Sequence, residues 1–525
     1  MAVHIFGAID IGSYVTEMKV FSLSRKGGIK QIDDIRHIVD LGGDAYRTGL
    51  LSDVRYRELI RILKDFRKIL NGYGAEALTA CGTSAFRQMK NVSIPLVQIE
   101  QQTGVHIEVL GNAAQRFLDY KSLAYKGADF NRLLEEPTAI VDIGGEGVQI
   151  SLFEKDRLIA TQNLRLGLIM VHEQLAEIGA SQAREESIIE EIVGAQLSTF
   201  KKLYLKDVGI RNIIVVDDYI SDVARSQAGS AADSGEDAFA GIKKENGFIR
   251  VADFNLFIEK TKEYSASELS RLLGVDYNNL PYLKISSIMM RSIARVMKAD
   301  MMWVPGVTLC DGIAYDYALQ HHYITPAHDF ERDILACVMQ ISKRYKGSEV
   351  RGKTLESICL QIFDRMKKIH GLGDRERLLL RISARLHDCG KYISMQQLSE
   401  CSYGIIMATE IIGLTRRERE IVANVVRFNH TPFVYYEELR FGSSLSMEDY
   451  DIMTRLCAIL RLANGLDRSH KQKFTDIRIR LIDNELQINV STKKDITLEK
   501  GLFRDRAEFF EQIYHVRPVI RQKGE

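Results

Sequence analysis

One short motif occurs twice in this chain, as AIDIGS at residues 8–13 and as IVDIGG at residues 140–145. In each copy an apolar stretch predicts a strand that delivers an aspartate to a glycine-bearing turn, and a second strand pattern follows. Glycine can adopt positive φ and lets backbone N–H groups approach an anion, while the aspartate can hold a cation or a water beside it. One such turn could simply close a hairpin, but two copies in matching context indicate two facing lobes that handle phosphate.

The composition is that of an ordinary globular protein. With 525 residues the chain is too long for one core, so we expect about three or four domains. The 71 lysines and arginines balance 70 aspartates and glutamates, and a net charge of +1 gives no overall field that would attract nucleic acid or an anionic membrane. Any anion site must therefore be local, and we expect neither nucleic acid nor a membrane as a partner.

The cysteine pattern favours a reducing compartment. Seven cysteines are scattered without a CxxC pair, which fits the cytoplasm better than a disulfide framework. We recognise no signal peptide, and the methionine-rich stretch 288–304 contains three basic residues and Asp300, so it predicts an amphipathic helix and not a membrane span. The sequence therefore predicts a cytoplasmic protein.

The order of elements predicts four regions. Residues 1–125 alternate strands and helices, and residues 126–320 repeat that plan from the second motif onward, with a small, polar, mobile insertion at 226–236. Residues 325–470 have an almost wholly helical pattern, and residues 471–525 return to two strands and a helix. Three capping boxes mark helix starts in the second and third regions: Ser265 with Glu268, Thr415 with Glu418, and Ser446 with Asp449.

Further motifs extend along the chain in a characteristic order and spacing. They are AIDIGS at 8–13, LGG at 41–43, GTSAFRQMKN at 82–91, VDIGGEG at 141–147, LRLGL at 164–168, LHDCGKYIS at 386–394, VVRFNHTP at 425–432 and LRLANGLDRSH at 460–470. In these motifs the chain resembles the exopolyphosphatase and guanosine pentaphosphate phosphohydrolase (Ppx/GppA) family. The resemblance implies an α/β fold class: a duplicated actin-like (ribonuclease H-like) two-lobe core, then an all-α HD-like domain and a small αβ tail.

The resemblance also implies a site in the cleft between the two lobes. There a phosphate chain would be held by glycine turns and an arginine, a divalent cation, magnesium above all, would neutralise charge, and a glutamate would activate water. The matching cation ligands are Asp10 and Asp142, and the matching phosphate-binding residues are Gly12, Ser13, Thr83, Ser84, Arg87, Gly144 and Gly145. The alternatives are a plain helix cap for Ser84 and simple turn residues for the two aspartates.

The chain departs from the family pattern where the catalytic acid is expected. The family motif SG-x-EE-x-R reads LGNAAQR here, so Ala113 and Ala114 stand at both acidic positions, and alanine cannot take a proton. Glu146, in the turn of the second motif, could be a relocated base or merely a solvated turn residue. Asp217 and Asp218 stand where a further glycine turn is expected, and their charges would repel phosphate unless a cation lay between them.

The helical region carries its own candidate site. His387 and Asp388 resemble the His-Asp pair of metal-dependent phosphohydrolases, and His430 offers a further imidazole, but Arg351 stands at the position of the upstream histidine. A metal site and a purely structural role both remain open, and Asp467 could be a helix–helix contact. A basic groove that extends the polyanion site, or a solvated helix face, would account for Lys391, Arg427, Arg461 and Arg468.

The functional hypothesis is hydrolysis of the terminal phosphoanhydride bond of inorganic polyphosphate or guanosine pentaphosphate. The alternative is a catalytically weak or inactive relative that senses polyphosphate or a guanosine alarmone, which the alanines at 113 and 114 favour. A sugar or glycerol kinase of the same fold is less consistent, because Asp217 and Asp218 occupy the region where an adenosine pocket would lie. The resemblance further implies a homodimer that pairs through its C-terminal domains.

Overall fold

The computed structural model describes residues 3–522 apart from 146, 180, 182, 206–208, 218, 222, 225–246 and 475. The chain divides into two compact units, residues 1–330 and 331–525. Three earlier predictions fall outside the described residues: the relocated base Glu146, the second carboxylate Asp218, and the mobile insertion at 226–236.

The first unit contains a five-stranded sheet in the order β3-β2-β1-β4-β5. Its central strand β1 pairs antiparallel with β2 and parallel with β4. The strands are β1 (His4–Ile11), β2 (Val15–Ser24), β3 (Gly28–Ile38), β4 (Ala77–Gly82) and β5 (Ile107–Val109). The accompanying helices are α1 (Leu41–Arg47), α2 (Asp53–Gly72), α3 (Ser84–Gln88), α4 (Ser93–Thr103), α5 (Asn112–Ala124) and α6 (Ala128–Glu135).

A second sheet in the same unit repeats this arrangement. Its strands run in the order β10-β11-β9-β6-β7-β8, and β6 pairs antiparallel with β7 and parallel with β9, as β1 pairs with β2 and β4. The strands are β6 (Thr138–Ile143), β7 (Val148–Phe153), β8 (Leu158–Leu164), β9 (Asn212–Val216), β10 (Phe248–Arg250) and β11 (Met301–Trp303). The helices are α7 (Leu168–Ile178), α8 (Glu185–Phe200), α9 (Val251–Thr261), α10 (Ala266–Leu273), α11 (Leu280–Met297) and α12 (Leu309–Gln320).

Two details of the second lobe differ from the sequence prediction. The methionine-rich helix α11 ends at Met297, because Lys298 adopts a left-handed conformation with φ 58° and the chain then enters β11. Helix α12, expected in the second lobe, packs against the first sheet through an apolar cluster. There Lys19 of β2 donates to Asp311 of α12 at 2.8 Å, with both side chains buried. The chain therefore returns to the first lobe after building the second.

The second unit is mainly helical, as its sequence pattern predicts. Its helices are α13 (Phe330–Arg344), α14 (Glu349–His370), α15 (Asp374–Leu386), α16 (Leu398–Ala408), α17 (Arg416–Phe428), α18 (Tyr436–Leu439), α19 (Met447–Leu466) and α20 (Thr497–Tyr514). Both predicted capping boxes form, at the starts of α17 and α19. The tail forms a three-stranded sheet of β12 (Asp476–Ile482), β13 (Glu485–Ser491) and β14 (Arg517–Gln522).

Among the described residues, no helix combines the length and the apolar character that crossing a bilayer requires.

Candidate functional site

The two motif aspartates occupy equivalent places in the two sheets. Asp10 is the second-last residue of β1 and Asp142 the second-last residue of β6. Each lies between the antiparallel partner of its hairpin and a parallel neighbour, where it pairs with Cys81 and Val216 respectively. Because the carboxyl ends of parallel strands meet at one edge of a sheet, each aspartate points to the edge where α/β folds bind ligands.

The turns that follow the aspartates are closed in the same way. The N–H of Gly12 donates to the carbonyl of Val15 at 2.9 Å, and the N–H of Gly144 donates to the carbonyl of Gly147 at 3.0 Å. A helix then begins against each turn: Gly42 at the start of α1 donates to Ser13 at 2.6 Å. In the second lobe Leu168, the first residue of α7, donates to Gly144 at 3.1 Å. The repeat in the sequence is thus a repeat in backbone geometry.

Positive φ does not explain the turn glycines, contrary to our expectation. A left-handed backbone conformation is not found at Gly12, Gly144 or Gly145. A Cβ on Gly12 would lie 2.9 Å from the carbonyl oxygen of Val15, and one on Gly145 would lie 2.8 Å from Cδ1 of Ile169. Glycine is therefore required at Gly12, where a Cβ would meet a fixed backbone atom. A Cβ on Gly145 would displace only the end of the Ile169 side chain, and one on Gly144 would lie 3.6 Å from the carbonyl oxygen of Gly147, an ordinary contact.

Hydroxyl groups converge on the first turn and reach the second. Ser13 Oγ lies 2.7 Å from Ser84 Oγ and 3.3 Å from the hydroxyl of Tyr46 in α1. The hydroxyl of Tyr46 would also lie 3.6 Å from a Cβ on Gly145, so the two glycine turns face a common space beside Tyr46. The pattern of the sequence gave no signal for Tyr46.

Thr83 and Ser84 follow strand β4. Thr83 is buried, its N–H donates to the carbonyl of Ile11 at 3.2 Å, and it occupies the N-cap position of α3. Ser84 is the first residue of the helix and not its cap, so the cap interpretation of Ser84 was wrong. Its hydroxyl instead contacts Ser13, which ties the β4 end to the first turn.

Arg87 reaches the start of α5, where the family motif would carry its catalytic acid. Its Nη1 donates to the carbonyl of Leu110 at 2.8 Å and to Oε1 of Gln115 at 3.1 Å. These contacts fix the guanidinium beside Ala113 and Ala114, which lie in the first turn of α5. Ala114 packs against the apolar cluster under α12. Ala113 lies three residues before Arg116 and therefore on the same face of the helix.

Arg116 crosses from the first lobe to the second. Its Nη1 donates to Oε1 of Gln149 at 2.9 Å, and its Nε lies 3.7 Å from Oδ2 of Asp142. Burial raises the pKa of the Asp142 carboxyl above its ordinary value, and the positive charge of Arg116 opposes that rise. The guanidinium thus supplies at Asp142 part of the charge compensation that a cation would give. The arginine is the last residue of the LGNAAQR motif, which was the available signal for it.

Asp217 has a structural role. Its Oδ1 accepts from the backbone N–H of Ile220 at 2.7 Å, and its Oδ2 accepts from the hydroxyl of Ser286. The carboxylate is buried, and both of its oxygens accept hydrogen bonds. Of the two carboxylates expected to repel phosphate, the described one is therefore already held by a backbone N–H and by a serine hydroxyl.

The first turn offers oxygen donors, the kind of ligand that divalent cations such as Mg²⁺ prefer. Mg²⁺ prefers oxygen ligands and keeps several waters, and the half-buried carboxylate of Asp10 lies near the end of β1, three residues before the hydroxyl-bearing Ser13. Asp142 fits less well, because a second cation there would be repelled by Arg116 at 3.7 Å. Asp10 is accordingly the better candidate ligand of the two.

In the helical unit Arg351 occupies the centre of the predicted metal site. Its Nη1 lies 3.0 Å from Nε2 of His387, its Nε lies 3.3 Å from Oδ2 of Asp467, and its Nη2 donates to Oδ1 of Asn464 at 2.6 Å. His387 holds its other nitrogen, Nδ1, 2.9 Å from the carbonyl of Ala384. Asp467 is thus a contact between helices, as one interpretation of the sequence expected.

The predicted metal ligands do not assemble into a metal-binding group. Nε2 of His387 lies 3.8 Å from Oδ2 of Asp388, which is also 3.7 Å from the Lys391 ammonium. Nε2 of His430 lies 3.1 Å from the side-chain nitrogen of Asn429. Within the described part of the chain, no three histidine, cysteine, aspartate or glutamate side chains are grouped so that they could share an ion. The structure therefore contradicts the predicted metal site of His387, Asp388 and His430.

Two members of the suggested basic groove have structural partners. Arg427 pairs with Glu400 at 2.8 Å, and Arg461 donates to the backbone carbonyls of Phe428 and Thr431. Both arginines are half-buried, and these contacts give them structural roles rather than a place on a solvated helix face.

Acid is expected to destabilise the helical unit. Burial, followed by nearby positive charge, lowers the pKa of His387 and His430 to about 3. In the unfolded chain each imidazole takes up a proton near its ordinary pKa of about 6.5, whereas in the folded unit it stays neutral. Each pH unit below about 6.5 should therefore remove about 1.4 kcal/mol of stability per histidine, until about pH 3. Denaturant unfolding of wild type and H430Q between about pH 7.5 and about pH 5 measures this loss of stability. The free energy of unfolding should fall more steeply with decreasing pH in the wild type, and equal slopes in the two proteins would contradict the prediction.

Comparison with known proteins decides the family. The model of the Ppx/GppA phosphatase family matches residues 20–321. The chain belongs to the Ppx/GppA phosphatase family. The model of Ppx/GppA phosphatase domain III matches residues 335–507. The predicted family is thus confirmed, and its two models fall on the two-lobe region and on the helical region.

Similar proteins are distant in sequence. Guanosine-5'-triphosphate,3'-diphosphate pyrophosphatase of Vibrio vulnificus (strain YJ016) is 21% identical over 429 residues, which cover 81% of this chain and 80% of the relative. The protein of the same name from Aliivibrio fischeri (strain ATCC 700601 / ES114) is 20% identical over 462 residues, or 87% and 86% of the two chains.

Solved structures confirm the fold class. An exopolyphosphatase from Cytophaga hutchinsonii matches with a TM-score of 0.50 and 16% identity, over 61% of this chain and 98% of that one. A structure described as an exopolyphosphatase-like protein matches with a TM-score of 0.50 and 18% identity, over 61% and 100%. At this identity the likeness speaks for the fold alone. The α/β two-lobe core with a helical C-terminal unit is confirmed.

Proposed function

We propose that this Ppx/GppA phosphatase family member binds a phosphoanhydride chain between its two glycine turns and hydrolyses the terminal bond. The ligand class is inorganic polyphosphate or a guanosine polyphosphate. One observation carries the proposal: two turns of equivalent geometry, each following a strand-end aspartate, meet beside the hydroxyl of Tyr46. The names of the similar proteins, which concern guanosine polyphosphate and polyphosphate, support the same class.

The predicted site residues would act as hydrogen-bond donors to phosphate or as a ligand of the cation. Backbone N–H groups of the turns and the hydroxyls of Ser13 and Ser84 would donate to phosphate oxygens, and Arg87 would add a charged donor. Asp10 would hold the magnesium ion, which when bound neutralises charge on the phosphate chain.

Turnover is expected to be slow. No glutamate stands at either acidic position of the motif, and loss of a general base typically costs about 10²- to 10⁴-fold in rate. The guanidinium of Arg116, the last residue of the same motif, already contacts Gln149 and Asp142.

A binding protein without turnover is the second candidate. Ala113 and Ala114 favour it, because the chain retains both glycine turns while lacking the acid. In either case we propose a cytoplasmic protein that pairs as a homodimer.

Binding and phosphate release, measured side by side with magnesium, test the proposal. We expect long-chain polyphosphate or guanosine pentaphosphate to bind, and R87A to weaken binding about 10- to 100-fold, since a hydrogen bond to a charged group contributes about 1.5–3 kcal/mol. R57A is the matched control, because Arg57 lies on α2 with a side chain that is 77% exposed. Release by the wild type selects the hydrolase, and binding without release selects the sensor. No binding of either ligand, or equal binding by R87A and R57A, would reject the cleft as the site.

A further inference from the structure

The helical unit carries a buried cation at the point where a metal-dependent His-Asp domain would hold its ion. Arg351 is only 3% exposed, although an arginine is rarely buried unless its charge is paired. Its three contacts come from two segments: His387 after α15, and Asn464 and Asp467 at the end of α19. The guanidinium therefore joins α14 to both of these helices.

The donor set around Arg351 is already used. A metal ion binds a histidine through a nitrogen lone pair, and Nε2 of His387 is the atom that faces Nη1 of Arg351 at 3.0 Å. Because Nδ1 lies 2.9 Å from a backbone carbonyl, it acts as the N–H donor, which leaves Nε2 as the acceptor. Oδ2 of Asp467 likewise faces the guanidinium. An added divalent cation would have to displace the arginine and would meet its charge.

We propose that the guanidinium of Arg351 takes the place of the metal ion, so that this centre is a metal-independent cross-link between helices. The inference is independent of the proposed function, since it concerns residues of the second unit alone. It makes the helical unit a structural or binding element without a metal-dependent hydrolytic centre of its own.

The same geometry implies a latent metal site. The R351H variant would remove the guanidinium and supply an imidazole on α14, opposite His387 and Asp467 and near Asp388. Two imidazoles and two carboxylates are a suitable donor set for Mn²⁺ or Zn²⁺. Removal of the internal cation should therefore convert the centre into one that binds metal.

Binding of Mn²⁺ to the full-length protein, followed by the loss of the free-ion paramagnetic resonance signal, tests both statements. The wild type and H387Q should bind the same amount of Mn²⁺, because any Mn²⁺ that the wild type binds lies outside the Arg351 centre. R351H should gain one equivalent, and R351H/H387Q should lose that gain, with affinity reduced by at least about tenfold.

Two results would overturn the inference. Wild-type Mn²⁺ binding that H387Q abolishes would mean that the arginine does not exclude a metal. A folded R351H that binds no more Mn²⁺ than wild type would mean that the arginine is not what closes the site. If R351H is unfolded without metal, the comparison of wild type with H387Q still decides, and R351K, which keeps the charge, should bind no additional ion.

Discussion

Replacing Ala113 by glutamate is expected to raise phosphate release by about 10²- to 10⁴-fold, the range that a positioned general base contributes. Ala113 lies in the first turn of α5, on the helix face of Arg116, whose guanidinium reaches Asp142 in the second lobe. A carboxylate introduced there would face the space between the lobes. Initial rates with long-chain polyphosphate and magnesium measure the gain.

The neighbouring alanine provides the matched control. Ala114 packs against a buried apolar cluster, so a glutamate there would be buried against apolar side chains and should lower stability without raising the rate. Equal activity of A113E and A114E would contradict the assignment of the catalytic face. If A113E binds ligand as the wild type does and gains no rate, the missing acid is not what limits turnover, and the sensor becomes the better account.

Replacing Arg351 by alanine is expected to lower the free energy of unfolding of the helical unit by about 3–5 kcal/mol. Removing one partner of a buried ion pair leaves the other charge uncompensated, and Asp467 is only 2% exposed. The substitution also removes the hydrogen bonds to His387 and Asn464.

Hydrogen exchange measures this effect unit by unit. Protection of amides in α14, α15 and α19 should fall, while amides of β1 and β6 in the other unit serve as an internal reference. R365A is the matched control, since Arg365 is exposed on the same helix and its loss should change stability by less than about 0.5 kcal/mol. Equal protection in R351A and R365A would show that the buried network contributes little.

Local patterns predicted much of the fold. The repeated motif predicted two strand–turn–strand units, and both form with the same hairpin pairing and the same parallel neighbour. The capping boxes at Thr415 and Ser446 form where expected, because the two groups of each box lie within one turn of the chain. The magnesium ligands, the phosphate contacts and the base Glu146 remain predictions.

What the sequence determined by itself was the family, the duplicated strand and turn units, and the loss of both acids at Ala113 and Ala114. Only the tertiary structure decided that Tyr46 stands between the two turns, that Arg116 faces Asp142, and that Arg351 fills the His-Asp centre. The reason is separation along the chain: the partners of Arg351 lie 36 to 116 residues away. Strand and cap signals are local in the chain, whereas contacts of this kind exist only after distant helices have packed.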